Sequence, residues 1–293
     1  MRCTVGSCPG RDDMCSSRPR RKLATCSAGF AAILSAFTVP AIAAATDNLA
    51  NPAQRESLPA TPERWIFTSL FSHSGLSGGR DDWNVADFEL LYRSSPKLIL
   101  GGQLSVRDRE QGTDALYGAL FSYQASPTLE WHGMLTFAPD PEFSARQKYS
   151  AGIEWRSEPR VSLLFDVEQL NFAEGPVDQY KPGLIYWFSD RTWLTGRYTL
   201  GHAFHAERYD AVSLQLNLGL SEGRRLTLGI AHGTDPEKDP AVPGVILTTA
   251  DTYSIYYRTP LRPSLELIVG AEYEDRRDIY SRTTATLGLV KRF

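Results

Sequence analysis

Five histidines, His73, His132, His202, His205 and His232, and four cysteines, Cys3, Cys8, Cys15 and Cys26, are the side chains of this chain best suited to acid–base, nucleophilic or metal chemistry. All the cysteines lie in the first 26 residues, at spacings that match no zinc or redox pattern. The histidines are scattered along the chain. No nucleotide-binding glycine loop, H-E-x-x-H or G-x-S-x-G occurs. The one catalytic arrangement left open is a rim-located hydrolase using His132, His202 and His205. Solvated loop histidines are the simpler account, so the expectation is a protein that is not an enzyme, with no catalytic residue, cofactor or metal ligand assigned.

A different set of polar residues recurs with order. Asp87, Glu89, Glu130, Lys148, Glu154, Asp166, Glu168, Arg197, Glu266, Glu272 and Arg282 each fall on the polar row of a segment whose residues alternate apolar and polar. Leu129, Trp131, Gly133, Leu135 and Phe137 oppose Glu130, His132, Met134 and Thr136, and Leu265, Leu267, Val269, Ala271 and Tyr273 oppose Glu266, Ile268, Gly270 and Glu272. A period of two is the mark of a β-strand with one apolar face.

Short turn signals punctuate these segments at Ser94-Ser95-Pro96, Ala125-Ser126-Pro127, Ser157-Glu158-Pro159, Ser189-Asp190, Ser221-Glu222-Gly223 and Thr259-Pro260, at intervals of 31, 32, 31, 33 and 37 residues. That is a hairpin period. Between them lie looser connections at His73 to Asp82, Asp108 to Thr113, Ala138 to Arg146, Phe172 to Asp178, Phe204 to Glu207, His232 to Val245 and Glu274 to Arg277. Six tight turns alternating with seven looser loops divide the chain into fourteen strands, with twelve as the alternative count.

Strands of ten to fourteen residues exceed the usual five or six of soluble proteins. Short turns at one rim, longer loops at the other, an even count and both ends on the short-turn side describe a closed, antiparallel transmembrane β-barrel of the outer-membrane kind. The mean hydropathy of -0.29 fits this, because a lumen-facing polar residue sits beside nearly every lipid-facing apolar one. Tyr92, Tyr123, Trp155, Trp187, Phe188, Trp193, Tyr257 and Phe293, all beside tight turns, are expected to form an interfacial belt.

The final segment, Asp278 to Phe293, alternates and ends on an aromatic residue. It is expected to close the barrel against Arg64 to Ser72, with Leu287, Leu289 and Phe293 as the assembly signal. Upstream, Arg18 to Lys22 is basic and Leu23 to Ala45 is uncharged, with A-x-A sequences at Ala41-Ile42-Ala43 and Ala43-Ala44-Ala45. Residues 1–45 are therefore expected to be a signal peptide with an N-terminal extension, 46–63 a flexible periplasmic leader, and 64–293 the barrel.

The polar inward row suits either paired charges that fill the interior or a path for polar solutes, saccharides included, and its mixed signs argue against strong ion selectivity. The acidic, Pro-rich stretch His232 to Val245 is long enough to fold inward as a constriction. A net charge of -3 with no long basic run after Lys22 excludes a nucleic-acid footprint. The expected partners are the outer-membrane bilayer and the barrel-assembly and periplasmic chaperone machinery.

Phe143-Ser144-Ala145-Arg146-Gln147 opening a strand, Glu158-Pro159 before Leu163, the run from Val177-Asp178 to Leu184 and Tyr186, Arg197-Tyr198-Thr199 and the closing Phe293 together resemble the YaiO family of outer-membrane barrels, over essentially Arg64 to Phe293. The resemblance implies the location and the architecture and no activity. Lys291 stands where the pattern usually has an aromatic two residues before the end. Intact-mass measurement of the protein recovered from outer membranes is expected to give a mature chain beginning at Ala44 or Thr46; retention of Met1 to Ala43 would contradict a cleaved signal.

Overall fold

The computed structural model describes residues 64–110, 112–203, 207–221, 223–237, 246–277 and 279–293. The expected signal and leader, His205 and Asp278 lie outside them. Among the described residues the strands are β1 (Trp65–Leu76), β2 (Trp83–Ser95), β3 (Leu98–Arg109), β4 (Gly112–Ser126), β5 (Leu129–Phe137), β6 (Gln147–Glu158), β7 (Val161–Phe172), β8 (Gly175–Ser189), β9 (Thr192–Ala203), β10 (Glu207–Ser221), β11 (Arg224–Glu237), β12 (Ile246–Arg262), β13 (Leu265–Arg276) and β14 (Tyr280–Arg292). Each pairs antiparallel with its sequence neighbours. The first and last pair with each other, which closes the barrel at fourteen strands.

Closure runs from Ile66 opposite Arg292 to Leu76 opposite Arg282. Trp65 and Phe293 exchange backbone hydrogen bonds at its end, N–H to O of 3.3 and 2.9 Å. Every strand thus has a partner on both sides, so the sheet presents no open edge. At about 3.3 Å per residue, a 12-residue strand tilted by about 40° rises roughly 30 Å, enough to cross the hydrocarbon layer.

The register carries one side-chain row round the whole wall. Phe71, Leu90, Leu100, Phe121, Leu135, Phe165, Leu184, Leu200, Leu214, Ile230, Ile255, Val269 and Leu287 are all exposed, and they lie on the opposite face from the buried polar residues of the same strands. An exposed apolar band of this extent is unfavourable in water and favourable against acyl chains. Tyr123, Trp155, Phe188 and Phe293 are exposed near the short-turn rim, and Phe137, Tyr149 and Tyr273 near the other. Trp187 and Trp193 depart from the expected belt. They pair across β8 and β9 on the inward row, ring centroids 4.9 Å apart, because Trp187 and Phe188 are adjacent and cannot both face lipid.

The short-turn rim follows the sequence signals except at the last. The β12 strand continues through Pro260, with a register shift between Pro260 and Arg262, so the chain turns at Pro263 and Ser264. At the other rim, two of the expected loose loops are tight hairpins. Gly112 and Gly175 open β4 and β8 at φ of 143° and 142°, a conformation that lets the chain reverse within two residues of the preceding strand and that side-chain-bearing residues resist. Glu274 and Arg276 also belong to β13, and His232 to Glu237 to β11. Residues 238–245, the remainder of the stretch considered as an inward constriction, lie outside the described residues.

Among the described residues the wall has one interior break. The β8–β9 pairing passes from Tyr180 opposite Leu200 to Gly183 opposite Arg197, skipping Lys181 and Pro182, since proline has no N–H to donate. Replacing an outward residue by a charge tests the inside–outside assignment. Ile255→Arg is expected to lower unfolding free energy in lipid vesicles by about 2–4 kcal/mol, whereas Gln215→Arg, on the inward row, should cost well under half of that.

Candidate functional site

The register places Asp87, Glu89, Glu130, Lys148, Glu154, Asp166, Glu168, Arg197, Glu266, Glu272 and Arg282 all on the inward row. They fall into separate groups held by different strands.

The first group spans β5 to β9. The His132 Nε2 lies 2.6 Å from Asp166 Oδ1, and Arg197 pairs with the other oxygen of Asp166. Between His132 on β5 and Asp166 on β7 lies Gly152 of β6, where a Cβ would collide with both side chains, so the contact crosses a strand only because that residue is glycine. One step toward the opposite rim, Glu168 receives Lys148 at 2.9 Å and Lys181 at 3.3 Å. On β4 and β5 the Ser122 hydroxyl donates to Glu130 at 2.7 Å.

A second group lies on β12, β13 and β14. Glu266 pairs with Arg258 and Arg292 at the short-turn end. Toward the other end, Arg282 bridges Glu272 at 3.2 Å and Glu274 at 3.0 Å, and Glu274 also receives Arg276 at 2.7 Å. The side chains of Glu274 and Arg276 have 0% exposure. Buried ions persist only when paired and hydrogen-bonded, and each of these is.

Two structures flank these charges on the β13-to-β4 side. Near the short-turn rim, Ile66, Leu70, Leu91, Ile99, Ile268 and Val290 form a buried apolar cluster inside the barrel, packed by Leu120 and Tyr256. At the opposite mouth, Asp114 accepts the backbone N–H groups of Glu142 (2.7 Å), Phe143 (3.2 Å) and Ser144 (2.7 Å), which draws the β5–β6 connection inward. Phe143 is buried beneath the Arg109 guanidinium at 4.6 Å, and the same guanidinium lies 4.1 Å over Trp83, which meets Tyr280 edge-on. Among the described residues, 138–146 is thus a connection that folds inward.

Lys181, Arg258, Glu274 and Arg276 were not singled out by sequence reasoning. The parity of Glu266 and Glu272 extends unbroken to Glu274 and Arg276, where four consecutive charges, Glu274 to Arg277, give the end of a strand the composition of a loop. His202 and His232 lie on the outward row, away from His132, and His205 lies outside the described residues, so the described histidines do not gather into a rim site. Among the described residues no three His, Cys, Asp or Glu side chains cluster as a metal site.

No family model matches the chain, and no curated protein does. Solved structures do. The chain is similar to a CymD monoaromatic hydrocarbon channel (10% identity, TM-score 0.58, covering 88% of this chain and 94% of that one). It is also similar to a Pseudomonas aeruginosa FadL homologue (9%, 0.57, 83% and 93%) and to the Pseudomonas putida toluene transporter TodX (10%, 0.55, 85% and 93%). At such identities the likeness is one of fold. Together with the sealed sheet and its exposed apolar band, it makes this chain an outer-membrane β-barrel protein.

The Arg276–Glu274–Arg282 group makes a direct test. Glu274→Gln leaves two buried guanidinium groups short of a counter-charge, and urea unfolding of the variant is expected to show a loss of about 3–5 kcal/mol.

Proposed function

We propose that the barrel is a channel for polar solutes, with the path running along the β5-to-β11 half of the lumen. The observation that carries this reading is that the mid-height inward residues there, His132, Ser150, Asp166, Lys181, Arg197, Ser213 and Gln215, are polar and only partly buried, whereas the β13-to-β4 half holds the largest apolar cluster, the smaller ones of β7 to β10 lying toward the two rims. Water-accessible donors and acceptors of both signs suit uncharged hydroxyl-rich solutes such as saccharides, because opposite charges lie close together and cancel any strong field. A chain from the same architectural class as the YaiO family fits this place in the envelope.

The named hydrocarbon channels among the structural neighbours do not transfer their solutes here. An apolar molecule crossing this half of the lumen would strip partly hydrated ions without replacing their contacts. A second reading, a barrel with a closed lumen and a structural part in the envelope, is favoured by the completeness of the apolar cluster, in which Leu91 is 1% and Val290 0% exposed.

Planar-bilayer recording separates the two. The wild-type chain is expected to conduct with weak ion selectivity, and Arg197→Glu to shift the reversal potential toward cations. Absence of conductance in the wild type, with conductance gained on Leu91→Ala, would favour the closed barrel.

A further inference from the structure

One inward position breaks the pairing rule followed by its counterparts. Thr68, Glu89 and Gln103 sit opposite one another on β1, β2 and β3, forming a single cross-strand row. Facing side chains on such a row have Cβ atoms about 4.5–5.5 Å apart. The Thr68 hydroxyl oxygen, both carboxylate oxygens of Glu89 and the Gln103 amide oxygen are all buried, and none has a hydrogen-bond partner. Thr68 is 2% and Glu89 7% exposed.

Among the described residues, no lysine or arginine pairs with Glu89. Ile66 and Leu70 flank Thr68 along β1, Leu91 follows Glu89 along β2, and Val290 lies opposite Thr68 on β14. The charged group felt by Glu89 is another carboxylate, Asp87, two residues along the same row. Opposite Asp87 stands Ser105, which engages the Arg107 side chain at 3.3 Å. By contrast Asp166, Glu168, Glu266, Glu272 and Glu274 each have at least one lysine or arginine within ion-pair distance.

Buried acceptors without donors are costly, and more so when charged. A cation bound to Glu89, with Thr68 and Gln103 as neighbouring oxygen donors on the same row, would remove that cost. The donor set is carboxylate, amide carbonyl and hydroxyl oxygen, with no nitrogen or sulfur, which selects a hard cation. The carboxylates of Asp87 and Glu89, both ionised once a cation is bound, match a divalent ion. Ligands drawn from three strands, with unequal reach, suit the irregular oxygen coordination of calcium better than the strict octahedron of magnesium.

We propose that Thr68, Glu89 and Gln103, with Asp87, form a calcium site inside the barrel that ties β1, β2 and β3 together beside the closing seam. The site stands apart from the solute path and does not depend on it.

The test is thermal unfolding of the full chain, refolded in detergent, in EDTA and in increasing CaCl2. Calcium is expected to raise the wild-type midpoint by about 4 °C or more at saturation. Glu89→Gln should fold in EDTA with an unchanged far-UV spectrum and a midpoint at or above that of the wild type, and should lose the calcium response. Gln103→Leu should need about tenfold more calcium for the same shift, and it reads the site independently if Glu89→Gln fails to fold. Magnesium is expected to act only at about tenfold higher concentration. A wild type indifferent to calcium, an equal response in wild type and Glu89→Gln, or an equal response to magnesium would each overturn the assignment.

Discussion

In hydrocarbon, an unpaired backbone N–H or C=O finds no water, and each such group costs several kcal/mol. The fold of this chain follows from that cost. Antiparallel neighbours joined by hairpins satisfy thirteen of the fourteen strand interfaces locally, and the last is satisfied only if β14 returns to β1. Leu76 opposite Arg282 and Ile66 opposite Arg292 are pairings across more than two hundred residues, and the wall depends on them. Where the backbone cannot comply, at Pro182, the β8–β9 ladder opens on one side while β7–β8 pairing continues through Pro182 opposite Phe165.

Sealing the sheet inverts the usual distribution of residue types. The exposed wall is apolar, and the interior collects the ions, so the lumen must solve the burial of charge by itself. It does so by cross-strand pairing in which one carboxylate serves two bases, as with Asp166, Glu168 and Glu266, or one base serves two carboxylates, as with Arg282. Such pairing fixes side chains in place and narrows the space they share. Apolar clusters fill the remaining space, the largest at β13 to β4 and two smaller ones on β7 to β10, so wet and dry patches alternate round the lumen.

Strand number, closure and face were legible in the sequence because all three rest on a period of two, which burial on one side enforces at every position. Leu287 and Leu289 out, Arg282 and Val290 in, follows from parity alone. What was not legible involved exceptions to local composition. Charge made Glu274 to Arg277 look like a loop, and aromatic character made Trp187 and Trp193 look interfacial. The pairing partners were out of reach because they depend on the stagger between strands, which no local pattern encodes. The hairpins at Gly112 and Gly175 carried a usable signal in their glycines, which the surrounding polar residues obscured.

The grip of Asp114 on the β5–β6 connection limits what a protease at that mouth of the barrel can reach. Proteolytic nicking favours exposed loop tips with free backbone. Here the amides of Glu142, Phe143 and Ser144 are engaged by one carboxylate and Phe143 is buried, so this connection offers an enzyme little main chain to draw out. Although it is among the longer segments joining strands at its rim, 138–146 is shielded from cleavage, and antibodies raised against its linear peptide would meet a folded, half-hidden version of it on the intact protein.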